Sequence, residues 1–271
     1  MRYPAVAGAF YEADPQALRR QVEGCYTHPL GPGKVPTAAK GLREIRGLVC
    51  PHAGLMYSGP VAAHAYAALA ADGLPETVVI LGPNHSGSGA PVALATTDFQ
   101  TPLGVARLDA DLTKRLKRGA IEEDMVAHRR EHSLEVQLPF LLHLGPRLKF
   151  AMVCLGFQEI DVAREVGKAV AEAVEGRDAV IVASTDFSHY IPKEDATRLD
   201  HLALQEILKM DAAAFYRVKN RHDISMCGYG PVMALLEALG KGRTRLLKYA
   251  TSGDVAPMRD VVGYAAVEVR A

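Results

Sequence analysis

The chain has 271 residues, of which 49% are hydrophobic and 23% are charged, as in ordinary globular proteins. Lys plus Arg and Asp plus Glu number 31 each, so no basic excess indicates nucleic-acid or membrane-surface binding. No apolar stretch approaches the roughly 18 residues of a membrane span, and the first residues lack the apolar core of a signal peptide. Four scattered cysteines without a C-x-x-C pair do not form a disulfide scaffold, and they predict a reduced, cytoplasmic protein.

Alternating apolar strands and helices predict one α/β domain over residues 1–271, with a central, largely parallel or mixed sheet flanked by helices. Strands are predicted over residues 45–50, 77–82, 90–96, 148–155, 179–183, 243–249 and 261–269. Helices are predicted over residues 15–26, 60–71, 133–144, 161–175, 195–209, 211–219 and 231–239, with a further one after Asp109. Pro139 predicts a kink in the helix over 133–144, and residues 99–104 are predicted to form a turn.

Two of the predicted strands are each followed by a loop that carries a histidine. The run 77–81 is continuously apolar and β-branched, as in a strand buried on both faces, and the loop after it carries His85. The run ending at Cys50 is followed by a similar loop that carries His52. Ligands of open α/β sheets bind at the carboxyl ends of the strands, and neutral imidazole is the commonest metal ligand. The pair therefore indicates a shared metal or catalytic site.

Two further loops carry reactive side chains. Asp186 and His189 follow the predicted strand over 179–183, and Cys227 lies in a Gly-rich stretch before a helix that begins at Pro231. A thiolate, imidazoles and a carboxylate together make a suitable metal-binding set. A nearby helix N-terminus lowers thiol pKa values, so Cys227 is expected to ionise readily.

Two hydrolytic alternatives compete with this interpretation. Residues 128–132 match H-x-x-E-H, the zinc signature of one class of peptidases, but the signature requires both histidines on one helical face. The helical pattern begins only near Ser133, so His128 is not expected to be a ligand, whereas His132 is expected to face the strand-end pocket. The second alternative is nucleophilic hydrolysis by a Cys–His pair that uses Cys227.

Together these motifs resemble the Memo family, also called AmmeMemoRadiSam system protein B. The similarity rests on six ordered stretches, which are 4–8 (PAVAG), 51–54 (PHAG) with 57–59 (YSG), 81–85 (LGPNH), 131–140 (EHSLEVQLPF), 184–190 (STDFSHY) and 227–231 (CGYGP). Leu55 replaces an aromatic residue often found after the PHAG turn, which changes a pocket wall and leaves the candidate ligands intact.

The resemblance implies a fold similar to class III (LigB-type) extradiol dioxygenases, with a mononuclear metal ion. It implies that His52, His85 and Cys227 are the metal ligands and that Asp186, His189 and His132 are pocket residues beside them. His189 is expected to act as an acid–base group rather than as a ligand, with Asp186 orienting its ring or holding a bound water. A thiolate in place of the carboxylate of the dioxygenases argues against ordinary ring cleavage. It favours iron or copper and a redox role, and zinc is a further option.

Two functions of different classes follow from the resemblance. One is a metal-dependent oxidoreductase, and the other is a non-enzymatic adaptor whose pocket binds a peptide or small molecule. The family context also implies AMMECR-type and radical-SAM proteins as partners. A zinc hydrolase is the third and weakest option.

Overall fold

A computed structural model describes all 271 residues, and a parallel four-stranded core forms its centre. The 11-stranded sheet has its main strands in the order β10-β11-β1-β8-β2-β7-β3-β6. The strands are β1 Ile45–Cys50, β2 Thr77–Pro83, β3 Val92–Leu94, β4 Phe99–Thr101, β5 Gly104–Leu108, β6 Glu122–Glu123, β7 Lys149–Leu155, β8 Ala179–Ser184, β9 His189–Pro192, β10 Arg243–Thr251 and β11 Asp260–Arg270. Strands β1, β8, β2 and β7 are parallel, whereas β11 runs antiparallel to β1, β9 and β10, so the sheet is mixed.

Helices cover both faces of this sheet. They are α1 Pro15–Thr27, α2 Leu55–Asp72, α3 Ala110–Leu116, α4 Leu138–Leu144, α5 Ile160–Val174, α6 Lys193–Leu208, α7 Ala212–Arg221, α8 Tyr229–Leu239 and α9 Ser252–Val255. Val78 and Ile80 of β2 pack into one apolar core, which includes residues of α1, α2 and α4. Val79 and Leu81 pack into the other, which includes residues of α3, α5 and α8. Because successive side chains point to opposite faces, the all-apolar strand fills both cores.

The predicted α/β class with a mixed, helix-flanked sheet is confirmed, but several boundaries were wrong. Helix α2 begins at Leu55 rather than at Pro60, because Phe10 O accepts the Leu55 N–H (2.7 Å) and Gly54 O accepts the N–H groups of Tyr57 and Ser58. These bonds satisfy first-turn donors that a helix leaves without partners.

No membrane-crossing helix is present, since none combines the necessary length and apolarity.

The predicted helix over residues 133–144 is also divided. A 3₁₀ turn spans Glu135–Gln137, and α4 follows over Leu138–Leu144. Pro139 stands in the first turn of α4, where its missing N–H costs nothing, so it opens a helix instead of kinking one. The expected turn at 99–104 is a hairpin of β4 and β5, and the short strand β9 was not predicted.

The N-terminal segment is tied to this 3₁₀ turn by a buried ion pair. Arg2 and Glu135 form a salt bridge in which both side chains are at least 95% buried. The Glu135 carboxylate also accepts hydrogen bonds from Tyr11 Oη and from the backbone N–H groups of Ala5 and Val6. The segment therefore lies against the carboxyl edge of the sheet, and its Phe10 becomes part of the cavity wall there.

Candidate metal centre

Three histidines meet at the carboxyl edge of the sheet. The side chains of His52, His85 and His132 place ligand nitrogens within 4.8 Å of one another. His52 follows β1, His85 follows β2, and His132 lies just before the 3₁₀ turn. They line a cavity of about 290 Å³, together with Asp186, His189, Phe10, Ala53, Gly54, Tyr190 and Val262. A larger cleft of about 610 Å³ lies near Thr77 and Lys149, at the opposite edge, and its lining contains no histidine or cysteine.

Nδ1 of His52 and Nδ1 of His85 each have a hydrogen-bond partner in the protein. His52 Nδ1 lies 2.9 Å from Ser184 Oγ, and His85 Nδ1 lies 2.9 Å from Glu131 Oε1. These contacts leave Nε2 of both rings for a ligand. Metal-binding histidines usually donate their second ring N–H to a carboxylate or another acceptor, and His85 with Glu131 has this arrangement. The two imidazoles thus fit a metal ion in donor type and in outer hydrogen bonding.

Glu131 organises the loop that carries these donors. Its carboxylate accepts the backbone N–H groups of His85, His132 and Ser133, the last two at 2.8 Å, in addition to His85 Nδ1. Burial alone would raise the pKa of Glu131, but the hydrogen bonds and the nearby imidazoles outweigh it and lower the pKa to about 2. A permanent negative charge therefore stands behind two of the three histidines.

Two of the three imidazoles, those of His52 and His132, are held neutral by their surroundings. Burial, together with the neighbouring His132 and His85, keeps the pKa of His52 well below its ordinary value. Burial likewise lowers the pKa of His132 to about 4. Neutral rings retain the nitrogen lone pairs that a cation requires.

Cys227 contacts this group through His52. Its Sγ lies 3.2 Å from His52 Nε2 and accepts the backbone N–H of Asp186, also at 3.2 Å. The expectation that the thiol ionises readily is wrong for the metal-free chain, because burial and the Asp186 carboxylate raise the pKa of Cys227. This raised pKa also argues against hydrolysis by a Cys–His pair, since the thiolate is the nucleophile. A bound cation would supply the positive charge that a thiolate here lacks.

Asp186 and His189 both line the cavity, with different partners from those expected. Asp186 Oδ1 accepts the backbone N–H of His52 at 2.8 Å, so it holds the loop after β1 rather than the His189 ring. Burial raises the pKa of Asp186 to about 6. His189 is oriented instead by Ser225, whose carbonyl lies 2.8 Å from Nδ1. This bond leaves His189 Nε2 as a proton acceptor at the cavity.

The backbone of residues 128–132 argues against the peptidase alternative, which requires both histidines on one helical face. Residues 128–130 form a turn and a bend, residues 131 and 132 are irregular, and no helix is present, while His128 lies outside the histidine group. His128 is buried, with Nε2 3.1 Å from Ala93 O. The motif nevertheless contained Glu131, a site residue that the sequence interpretation did not select. Its position directly before His132 was the available signal.

The fold and the donors thus define a class, namely an α/β protein with a histidine-rich group at the carboxyl edge of its sheet that could hold a metal ion. The sequence profile of the Memo-like protein family matches residues 2–268. A MEMO1 family protein of Methanopyrus kandleri is 46% identical over 279 residues, covering 99% of each chain. One of Methanothermobacter thermautotrophicus is 47% identical, covering 98% of this chain and 99% of its own. The chain belongs to the Memo-like family.

A solved structure also resembles the fold. The crystal structure of an uncharacterized protein from Escherichia coli K12 aligns with a TM-score of 0.55 and 14% identity. The alignment covers 83% of this chain and 99% of that one. At this identity the likeness concerns the fold alone, and it is consistent with the dioxygenase-like fold that the resemblance implied.

Proposed function

We propose that the protein is a metal-dependent oxidoreductase in which His52, His85 and Cys227 hold one iron or copper ion. The observation that carries the proposal is the convergence of imidazole nitrogens on one cavity, with Cys227 Sγ 3.2 Å from His52 Nε2. A thiolate donor is soft and suits copper(I) or iron better than it suits a purely structural ion. When bound, such an ion would supply one-electron chemistry to a small molecule in the cavity.

Ring stacking and the contact with Glu131 together support His85 rather than His132 as the second imidazole donor. The rings of His85 and His132 are stacked, with centroids 4.4 Å apart and an interplanar angle of 23°. The nitrogen lone pair of an imidazole lies in the plane of its ring, so a metal ion must lie near that plane. A single ion does not lie in the planes of two stacked, nearly parallel rings. Both rings are steeply inclined to His52, at 79° for His85 and 80° for His132, so this angle does not separate them. The Glu131 carboxylate does, because His85 Nδ1 lies 2.9 Å from it whereas His132 Nδ1 lies 3.5 Å from it. His132 is therefore assigned to the cavity wall.

His189 is the proposed acid–base group. Its Nδ1 is engaged by Ser225 and its ring lines the cavity, so Nε2 can accept or return a proton of a bound molecule. Replacing His189 by Ala should leave metal affinity intact and lower turnover by about 10²-fold. Replacing His85 by Ala should abolish metal binding. Loss of metal in both variants would place His189 among the ligands.

The ligand set is tested by binding and by counting protons. Anaerobic protein is titrated with Fe(II) at pH 7.5 in two buffers of different ionisation heat, and affinity for Fe(II) and Cu(I) is measured by chelator competition. The proposed set predicts release of about one proton, from the thiol, because metal ligands must be deprotonated. Cys227→Ala should abolish the proton release and weaken metal binding by 100-fold or more. The matched variant His132→Ala should keep both the proton release and the metal affinity of the wild type. The opposite pattern would indicate a three-histidine site.

One observation favours a second function, that of a peptide-binding adaptor that uses the same cavity. Tyr190 lines the cavity and its side chain is 77% exposed, as in an aromatic residue available to a partner. An adaptor would bind peptide equally well with and without metal. Peptide affinity that is unchanged in His85→Ala, together with no redox turnover by the metal-loaded wild type, would favour this function over the oxidoreductase.

A further inference from the structure

A chain of buried polar side chains lies behind His52. Gln137 Nε2 donates to Pro51 O at 3.0 Å and to Ser184 Oγ at 2.7 Å, and Tyr66 Oη donates to Gln137 Oε1. Ser184 Oγ lies 2.7 Å from Ser133 O and 2.9 Å from His52 Nδ1. All of these side chains are almost completely buried. The network joins the loop after β1, the carboxyl end of β8, the 3₁₀ turn and α2.

The direction of every hydrogen bond in this network can be assigned. Carbonyl oxygens only accept, so Pro51 O requires the amide nitrogen of Gln137 on its side. The second amide proton of Gln137 then points to Ser184 Oγ. Ser133 O takes the single hydroxyl proton of Ser184. Ser184 Oγ therefore has only acceptor capacity left for His52.

We infer that Ser184 is a positioning residue that holds His52 in the tautomer protonated at Nδ1. The Nε2 lone pair then faces Cys227 Sγ, and in the metal-free chain it accepts the S–H proton at 3.2 Å. This inference deepens the proposed function, because the same lone pair is the one that a metal would use. The tautomer itself is a property of the metal-free protein.

The two proposed imidazole donors thus have different outer partners. His85 donates to a carboxylate, whereas His52 donates to a neutral hydroxyl that is itself tied to Gln137. A carboxylate partner raises the basicity of a ligand imidazole, and a neutral hydroxyl does so much less. His52 is accordingly the weaker electron donor of the pair, and its ring depends on Ser184 for orientation more than for basicity.

The experiment compares Ser184→Ala with Tyr66→Phe. Each variant loses one buried hydroxyl from the same network, but only Ser184 touches the imidazole. The tautomer of His52 is read from long-range ¹H–¹⁵N spectra of metal-free protein with ¹⁵N-labelled histidine rings, assigned with His52→Gln. Fe(II) affinity is measured in parallel by chelator competition.

Wild type and Tyr66→Phe should show His52 protonated at Nδ1, because Pro51 O still orients Gln137. Ser184→Ala should show a substantial population protonated at Nε2, since Nδ1 has lost its acceptor. Fe(II) affinity should fall by about 10- to 100-fold in Ser184→Ala and by less than about threefold in Tyr66→Phe.

Finding His52 protonated at Nε2 in the wild-type protein would overturn the inference. This measurement does not depend on whether any variant folds. So would a Ser184→Ala protein that keeps both the Nδ1 tautomer and full affinity. Absence of metal binding by a wild type with the expected tautomer would instead contradict the proposed function alone.

Discussion

Glu131 and Glu135 are four residues apart and equally buried, yet the protein uses the two carboxylates differently. Glu135 is paired with Arg2, Tyr11 and two backbone N–H groups of the N-terminal segment. None of these partners lines the cavity. Glu131 is bonded to His85 and to the loop of His132, both of which line the cavity. Burial alone therefore does not distinguish the two carboxylates. The distinguishing feature is whether the groups that each carboxylate binds line the cavity.

The anchor around Glu135 should give the largest effect on stability. In Glu135→Gln the Arg2 guanidinium loses its buried counter-ion, and breaking such a pair typically costs about 3–5 kcal/mol. Urea denaturation should show this loss, while the exposed control Glu12→Gln stays within about 0.5 kcal/mol of the wild type. A loss below 1 kcal/mol would mean that the N-terminal segment is not a structural anchor.

His128 belongs to the same anchor, since Arg2 Nε donates to its carbonyl at 3.0 Å. Burial lowers the pKa of the His128 ring from 6.5 to about 4. The unfolded chain therefore binds the proton first, and the stabilising contribution present above pH 6.5 is lost as pH falls from 6.5 to 4. The difference of about 2.5 pKa units corresponds to about 3 kcal/mol.

This contribution is measured as the pH dependence of urea unfolding. His128→Gln should flatten the slope between pH 6.5 and 4, whereas the exposed control His222→Gln should retain it. Equal slopes in the wild type and in His128→Gln would show that the ring titrates as it does in the unfolded chain.

Glu131 should affect metal affinity more than its neighbour does. Glu131→Gln removes the charge behind His85, and loss of such an outer partner usually lowers metal affinity by about 10- to 100-fold, or about 1.4–2.7 kcal/mol. Glu135→Gln is the matched control and should keep Fe(II) affinity within about threefold under conditions where it is folded. If both variants lowered affinity equally, the distinction between the two carboxylates would be lost.

The smallest expected effect concerns backbone strain at the cavity rim. The anchor region has its positive φ at a glycine, Gly8 (83°), whereas the rim has Tyr190 at φ 55°. The left-handed backbone conformation at positive φ costs a residue with a side chain about 1–2 kcal/mol. Tyr190→Gly should therefore stabilise the protein by about 0.5–1 kcal/mol, after the entropy cost of glycine is subtracted.

Tyr3→Gly is the control for this strain, because Tyr3 is similarly exposed (73% against 77%) without a positive φ. It should leave stability unchanged or lower it. Equal effects of the two substitutions in thermal unfolding would remove the argument for strain at Tyr190.

Local patterns in the sequence determined the alternation of strands and helices and the positions of His52 and His85 after β1 and β2. These features follow from side-chain periodicity and turn residues within a few positions of one another. The same local logic failed at residues 133–144 and at Leu55. There the hydrogen-bond partners of a helix start, and a proline that opens rather than bends a helix, decided the boundary.

Only the tertiary structure decided which carboxylate serves the cavity, which ring nitrogens remain free and whether the thiol is ionised. Arg2 and Glu135 are separated by 133 residues, and His52 and Cys227 by 175. Contacts of this range depend on how the strands are ordered in the sheet, and the pKa of Cys227 depends on the burial that this order creates. A local sequence pattern carries no information about either, because hydrogen-bond direction and desolvation arise only when distant segments are packed together.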